Sequence, residues 1–80
     1  MTKTEYGKCE KLMEDAIQKV VDSKKEYSRY EFFLQKGDTI QAEVEQRKAD
    51  QHYGYAEGIN QVLAIIGFKH DKMKELSKLL

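Results

Sequence analysis

The sequence predicts an all-α protein: a long antiparallel helical hairpin followed by a short C-terminal helix, completed into a helical bundle by self-association. Three observations predict this class. The 80-residue chain contains no proline, apolar residues recur at helical spacing through two long segments, and a glycine follows each of those segments. A chain of this length accommodates one domain, which we assign to residues 1–80.

The first helix is predicted from about residue 3 to residue 36. Thr2 followed by Glu5 three positions later matches a capping box, in which the two residues satisfy each other's backbone N–H groups. Apolar or small residues then alternate at spacings of three and four, which is the pattern of a heptad stripe. These residues are Tyr6, Cys9, Met13, Ala16, Val20, Ser23, Tyr27, Tyr30 and Leu34.

The second helix is predicted from about residue 39 to residue 66. Gly37 suits the left-handed conformation that ends a helix, and Asp38 with Gln41 forms a capping signal for the next one. A turn this short makes the two helices antiparallel. The predicted inner stripe of the second helix consists of Ile40, Val44, Gln51, Tyr55, Ile59, Val62 and Ile66.

A short third helix is predicted at about residues 72–80. Gly67 ends the second helix, and we expect Phe68 to fold back onto Leu63 in a Schellman-type contact. Asp71 is the predicted N-cap. The apolar face of this helix is Met73, Leu76, Leu79 and Leu80.

The predicted pairing of the two long helices leaves aromatic surface uncovered near the turn. With the turn at residues 37–38, facing positions sum to about 75. The resulting pairs are Val20 with Tyr55, Ala16 with Ile59, Met13 with Val62 and Cys9 with Ile66. Nearer the turn, the first helix offers more aromatic surface than its partner can cover, and a second hairpin would bury it. The alternative is a monomer in which the third helix covers the core. Tyr27, Tyr30 and Phe33 are the predicted interface residues on the first helix.

Two glycines lie in the interior of the second helix, where each costs about 1 kcal/mol relative to alanine. Gly54 and Gly58 share one face, and Tyr53 and Tyr55 flank them. One explanation is a contact surface for a subunit or partner, with tyrosine anchors of the kind enriched at binding hot spots. The other is a close contact with aromatic residues of the first helix.

Charge and hydropathy narrow the partner classes. Fourteen basic and fourteen acidic residues cancel, so no long-range field attracts a polyanion. The single cysteine, Cys9, cannot form an internal disulfide, and the longest apolar run, residues 62–68, is well short of the ~20 residues that span a bilayer. The N-terminal residues lack the apolar stretch of a signal peptide. We therefore expect a cytoplasmic protein without membrane contact.

Catalytic and metal-binding patterns are weak. Ser23 faces His52 in the predicted hairpin, but no third orienting group accompanies them, so we expect an interhelical hydrogen bond instead of a nucleophile and its base. The two histidines are eighteen positions apart and no cysteine pair exists, so no metal site is predicted. We expect no enzymatic activity and no cofactor.

Two alternative functions remain open. Residues 59–80 resemble a helix-turn-helix unit with Gly67 in its turn, although Leu63 stands where that motif needs a small residue and no arginine is present to read bases. The residues that would face DNA are Lys69, His70, Lys72, Lys74 and Lys78. The second alternative is an oligomer that sequesters a small ligand or nucleotide at a subunit interface, with Arg29 or Arg47 as the anion-binding group.

The favoured hypothesis is that this is a small non-enzymatic helical protein that self-associates and binds a macromolecular partner, as a regulator, adaptor or inhibitor. It depends on the uncovered aromatic residues, on the face that carries the two glycines and on the lack of a chemical signature.

Overall fold

A computed structural model describes residues 1–80 and contains three helices and no strands. Helix α1 spans Lys3–Gln35, α2 spans Thr39–Ile65 and α3 spans Lys72–Leu79. The two long helices pack against each other as a hairpin, and the molecule measures 52 × 17 × 17 Å. The predicted helical hairpin with a short C-terminal helix is confirmed, and each helix ends within one residue of the predicted position.

The first two helices begin at the predicted capping signals. Thr2 Oγ1 accepts a hydrogen bond from the Glu5 N–H (3.1 Å), while Glu5 Oε1 accepts one from the Thr2 N–H (3.0 Å). Asp38 Oδ1 accepts from the Gln41 N–H at the start of α2 (3.0 Å). Both caps satisfy N–H groups that a helix start leaves without partners.

Glycines end both long helices, as predicted. Gly37 and Gly67 have φ values of +78° and +75°, a region that side chains disfavour. After Gly67, the Phe68 N–H donates to the Leu63 carbonyl at 2.9 Å, which is the predicted Schellman-type closure. Phe68 thereby enters the core, and the chain turns back along the hairpin.

The start of α3 differs from the prediction. Asp71 occupies the N-cap position, but its side chain makes no capping hydrogen bond. The His70 Nδ1 atom accepts from the Lys72 N–H instead, at 3.1 Å. The reason is local geometry: Asp71 has a helical backbone conformation (φ −57°, ψ −36°), whereas a capping side chain requires an extended one.

The apolar core lies in the half of the hairpin far from the turn, which we call the sealed half. Helix α3 folds back over it: Leu76 is fully buried, the Tyr53 hydroxyl donates to the Leu80 carbonyl, and Ser77 Oγ donates weakly to Asn60 Oδ1 (3.5 Å). The eight residues of this core are Cys9, Met13, Ala16, Val20, Ala56, Leu63, Phe68 and Leu76.

The half of the hairpin near the turn, which we call the turn half, has a different interior. Its buried residues are Ser23, Glu26, Ala42, Glu45 and Ala49. Two of the five are carboxylic acids, a residue type that is almost never fully buried unless it is paired. The turn half therefore contains no large apolar side chain in its buried interior.

The predicted inner stripe of α2 is wrong. Helix α2 turns a different face to α1, about a third of a turn away from the predicted one. The buried residues of that face are Ala42, Glu45, Ala49, Ala56 and Leu63, while Ile40 and Val62 are 78% and 53% exposed. Small side chains at seven-residue intervals keep step with the heptads of α1 and let the two backbones approach closely.

Three of the four predicted pairs across the hairpin are wrong for the same reason, because Tyr55, Val62 and Ile66 are exposed. The pair of Ala16 with Ile59 is not contradicted, since Ile59 packs against the core that contains Ala16. Ser23 Oγ donates to the Ala49 carbonyl (2.9 Å), and the Tyr55 hydroxyl donates to Asp15 Oδ2 (2.9 Å). Tyr55 therefore contacts the edge of α1 instead of Val20 in the core.

Neither of the two long helices has a stretch apolar enough to span a membrane, and α3 is too short to do so.

Candidate interaction surface

Large apolar side chains line the side of α2 that does not face α1. At 100° per residue, they fall within about 100° of the helix circumference. Ile65 and Ile40 are among the most exposed, at 83% and 78%. We call this surface the outer stripe; it consists of Ile40, Val44, Tyr55, Val62, Ile65 and Ile66. Lys48 and Gln51 lie between its two apolar parts, Ile40 with Val44 and Tyr55 to Ile66. Exposed apolar clusters mark interaction sites on soluble proteins.

Helix α2 thus carries two apolar stripes, and the hairpin provides a partner for only one. Helix α3, with eight residues, covers the side on which Tyr53 meets the C-terminal Leu80. Tyr55 lies two residues further along α2, and residues two apart in a helix point to nearly opposite sides. Its contact with Asp15 therefore marks the side of the hairpin that α3 leaves open.

The two glycines of α2 belong to the exposed side of the helix. A methyl group added at Gly54 or at Gly58 would meet no other atom within 4 Å. The alternative explanation, a close contact with aromatic residues of α1, is therefore wrong. Gly58 lies near the edge of the outer stripe, in line with Ile40, and Gly54 lies about 40° further out, so exposed backbone borders the apolar side chains.

The two predicted tyrosine anchors of α2 have different positions. Tyr53 is half-buried and bonded to the Leu80 carbonyl within the same chain. Tyr55 is 41% exposed, and its hydrogen bond to Asp15 raises the pKa of the phenol above its ordinary value. Only Tyr55 is available to a partner, with its ring on the outer stripe and its hydroxyl fixed by a rim carboxylate.

The predicted interface residues of α1 lie near the turn and are not part of the outer stripe, which belongs to α2. Tyr30 and Phe33 are half-buried, and the Phe32 ring packs edge-on against Phe33 at 5.3 Å. Tyr27 is partly exposed, and its hydroxyl donates to Asp50 Oδ1, a bond that raises the pKa of the phenol. The structure does not bring these residues together with Gly54 and its neighbours, so their interface role stays a prediction.

The open side of the turn half holds a groove of about 390 Å³ lined entirely by polar and charged side chains. Its lining residues are Asp22, Lys25, Glu26, Arg29, Lys48 and His52. His52 Nδ1 is hydrogen-bonded to Oε1 of the buried Glu26. Arg29, proposed from the sequence as a ligand-binding cation, lies in this groove, whereas Arg47 is exposed elsewhere on α2.

Glu45 is the least satisfied group of the turn half. Its Oε1 atom is 3.9 Å from Lys48 Nζ and 3.5 Å from Gln41 Nε2, while its Oε2 atom is buried without a hydrogen-bond partner. A buried carboxylate without full compensation costs stability. Sequence reasoning missed this residue because acidic side chains are expected on the surface.

The basic residues of the C-terminal segment are partly engaged within the chain. His70 Nε2 is hydrogen-bonded to Glu10 Oε2 (2.9 Å), and Lys72 Nζ lies 4.0 Å from Glu14 Oε1. Both contacts hold the segment against α1. The other lysines predicted to face DNA are exposed: Lys69, Lys74 and Lys78.

The chain does not assemble a catalytic pair from the residues considered. Ser23 is buried and bonded to the Ala49 carbonyl, while His52 is bonded to Glu26, so the predicted hydrogen bond between Ser23 and His52 is wrong. Both side chains do form hydrogen bonds between the two helices, but each partner lies three residues, about one helical turn, from the expected one. No three His, Cys, Asp or Glu side chains lie close enough together to hold a metal ion.

Comparisons with protein-family models, with curated proteins and with solved structures found no match for this chain. The functional argument therefore rests on the residues described above, and chiefly on the outer stripe.

Proposed function

We propose that this protein is non-enzymatic, self-associates through the outer stripe, and acts by binding a macromolecular partner, as a regulator, adaptor or inhibitor. The observation that carries the proposal is the outer stripe itself, six large apolar side chains on one face of α2. The face is exposed over its whole length, from Ile40 to Ile66.

Burial of the outer stripe would supply stability that the hairpin lacks. Only 13 of 80 residues are buried in the single chain, and a short chain buries a small share of its surface. Removing apolar surface from water contributes about 25 cal/mol per Å². A second copy that covers the stripe would therefore add to a core that is confined to the sealed half.

The glycines support the same proposal. Gly54 and Gly58 destabilise α2 in the single chain, since no neighbour uses the space they leave. A second helix packed on the outer stripe would fill that space with backbone contacts. The predicted partner contacts at Tyr27, Tyr30 and Phe33 lie on α1, so a dimer formed through α2 leaves them accessible.

Mass in solution tests the proposal directly. Light scattering after size exclusion distinguishes a 9.4 kDa monomer from its multiples. We expect a dimer or larger species at micromolar concentration, and we expect Val62→Glu with Ile65→Glu to return it to a monomer that keeps its helical circular dichroism. Leu34→Glu, which also charges an exposed apolar site, is the matched control. A wild-type monomer at about 100 µM, which places any Kd far above the micromolar range, would overturn self-association.

Alanine at the glycines provides a second test with two readouts of opposite sign. Gly54→Ala and Gly58→Ala should each stabilise the helix by about 0.5–1 kcal/mol. Both should weaken self-association, because the added methyl groups hold the second helix away. If both association and helix stability rose, the glycines would have no part in the interface.

Neither alternative function gains support from a specific observation. His70 and Lys72, two of the five residues that the DNA-binding hypothesis places against DNA, contact α1 instead. The ligand-binding hypothesis needs Arg29 or Arg47 at a subunit interface; Arg29 lies in the groove beside Asp22 and Glu26, and neither arginine belongs to the outer stripe.

A further inference from the structure

We infer that two copies of this chain pair α2 against α2 through their outer stripes in antiparallel orientation, about a two-fold axis level with residue 53. Val44 of each copy then lies against the partner's Val62. The inference rests on the proposed self-association and specifies its geometry.

Four of the six residues of the outer stripe are placed symmetrically along α2. Reversing α2 about residue 53 superimposes Val44 on Val62 and Ile40 on Ile66, so these apolar side chains meet one another, while Tyr55 and Ile65 fall on Gln51 and Gln41. A two-fold dimer requires such self-complementarity, because one surface must fit a copy of itself. A groove built for an unrelated helix has no reason to carry this symmetry.

The same register also gives the longest overlap of the two helices. Helix α2 has 27 residues, Thr39–Ile65, and residue 53 lies next to its midpoint. At 1.5 Å per residue the two helices are in contact over about 40 Å. The sides of the hairpins, 52 × 17 Å each, would bury on the order of 1,600 Å² in total if largely covered, the size of a standard stable interface.

Charges along α2 favour the antiparallel orientation over the parallel one. In a parallel pair, the flank of one helix that carries Lys48 would meet the opposite flank of the partner, which carries Arg47 at the same height, and like charges that face each other are destabilising. The chain as a whole has no net charge, so a second copy approaches without long-range repulsion.

In the antiparallel register, Lys48 has a partner of opposite charge. It lies opposite the partner's Gly58, one helical turn after the partner's Tyr55, whose hydroxyl is bonded to the partner's Asp15. Lys48 and Tyr55 are on the same flank of the outer stripe, and a two-fold axis across the helices brings this flank onto itself. The half-exposed Lys48 ammonium therefore reaches the partner's Asp15 carboxylate, twice in each dimer.

A charge exchange tests this register. Lys48→Glu and Asp15→Lys should each weaken the dimer about tenfold, because each change turns two rim ion pairs into repulsions. The two changes in one chain should restore the wild-type dissociation constant, measured by sedimentation equilibrium. Lys24→Glu with Glu31→Lys, both exposed on α1, is the charge-matched control. Tyr55→Phe controls for the lost hydrogen bond to Asp15.

The outcomes separate the register from the self-association on which it rests. A wild-type dimer whose double variant is as weak as the single variants would overturn the antiparallel register and leave self-association standing. A wild-type protein that stays monomeric would overturn both. Restoration in the double variant, with no effect of the control pair and a helical spectrum throughout, would establish the register.

Discussion

The two halves of the hairpin share helices and a heptad repeat, yet their interiors are built differently. The sealed half buries Met13, Val20, Leu63 and Leu76, and α3 covers it. The turn half buries two alanines, a serine and two glutamates, and it has no third helix. A large apolar residue lowers the free energy of the fold only where something shields it from water. The large buried side chains are therefore found where α3 covers the hairpin.

The comparison predicts that stability is concentrated in the sealed half. Leu63→Ala should lower the free energy of unfolding by about 2–5 kcal/mol, the cost of a core cavity. Leu34→Ala, the same change at an exposed position beside the turn, should cost less than about 0.5 kcal/mol. Urea denaturation followed by circular dichroism measures both. Equal losses would show that the two halves are not distinct.

An apolar residue in place of Glu45 should strengthen the turn half. Glu45→Met replaces a buried carboxylate that has one oxygen without a partner, and such replacements raise stability by about 1–3 kcal/mol. The same urea titration reports the gain. Glu43→Met, two residues earlier and exposed, is the control and should change little. A loss of stability in the Glu45 variant would mean that its carboxylate is compensated in solution.

A smaller effect is expected from the hydrogen bond that closes the middle of the hairpin. Ser23→Ala removes the donor to the Ala49 carbonyl and should cost about 1 kcal/mol. Ser28→Ala removes a hydroxyl that is exposed and bonded to the Lys24 carbonyl of its own helix. Its cost should be near zero. Thermal unfolding of the two variants side by side separates the interhelical bond from a local one.

The smallest expected effect is a loss of stability at alkaline pH. The bonds to Asp50 and Asp15 raise the pKa of Tyr27 and Tyr55 in the folded protein above the unfolded value of about 10. Their contribution is full below about pH 10 and is lost as the pH rises through the folded pKa. Tyr27→Phe in the turn half and Tyr55→Phe in the sealed half should each reduce the fall of the melting temperature above about pH 10.

The helix ends could be predicted because their causes are local. Thr2 with Glu5 and Asp38 with Gln41 are capping signals complete within four residues, and Gly37 needs only its own backbone to end α1. Such signals act before any tertiary contact exists. The class and bounds of the fold followed from them.

The face that α2 turns to α1 could not be predicted from its residues. Ile40 and Val62 are larger and more apolar than Ala42 and Ala49, so burial of the larger residues was the natural expectation. Alanine is tolerated on any face of a helix. It is buried between α1 and α2 because the two backbones approach closely there, which its own sequence position does not reveal. Five of the six residues of the outer stripe, all but Ile65, are therefore predicted to face the interior.

The buried thiol of Cys9 can report how often α3 moves away from the hairpin. Its thiol is buried in the sealed half together with Phe68 and Leu76. Lifting of the C-terminal segment uncovers the thiol, so the rate of its alkylation reports such openings. Helix α3 has only eight residues, so the segment should open more often than the whole hairpin unfolds. The rate at which α3 opens and closes over the sealed half can thus be measured with a residue that the chain already contains.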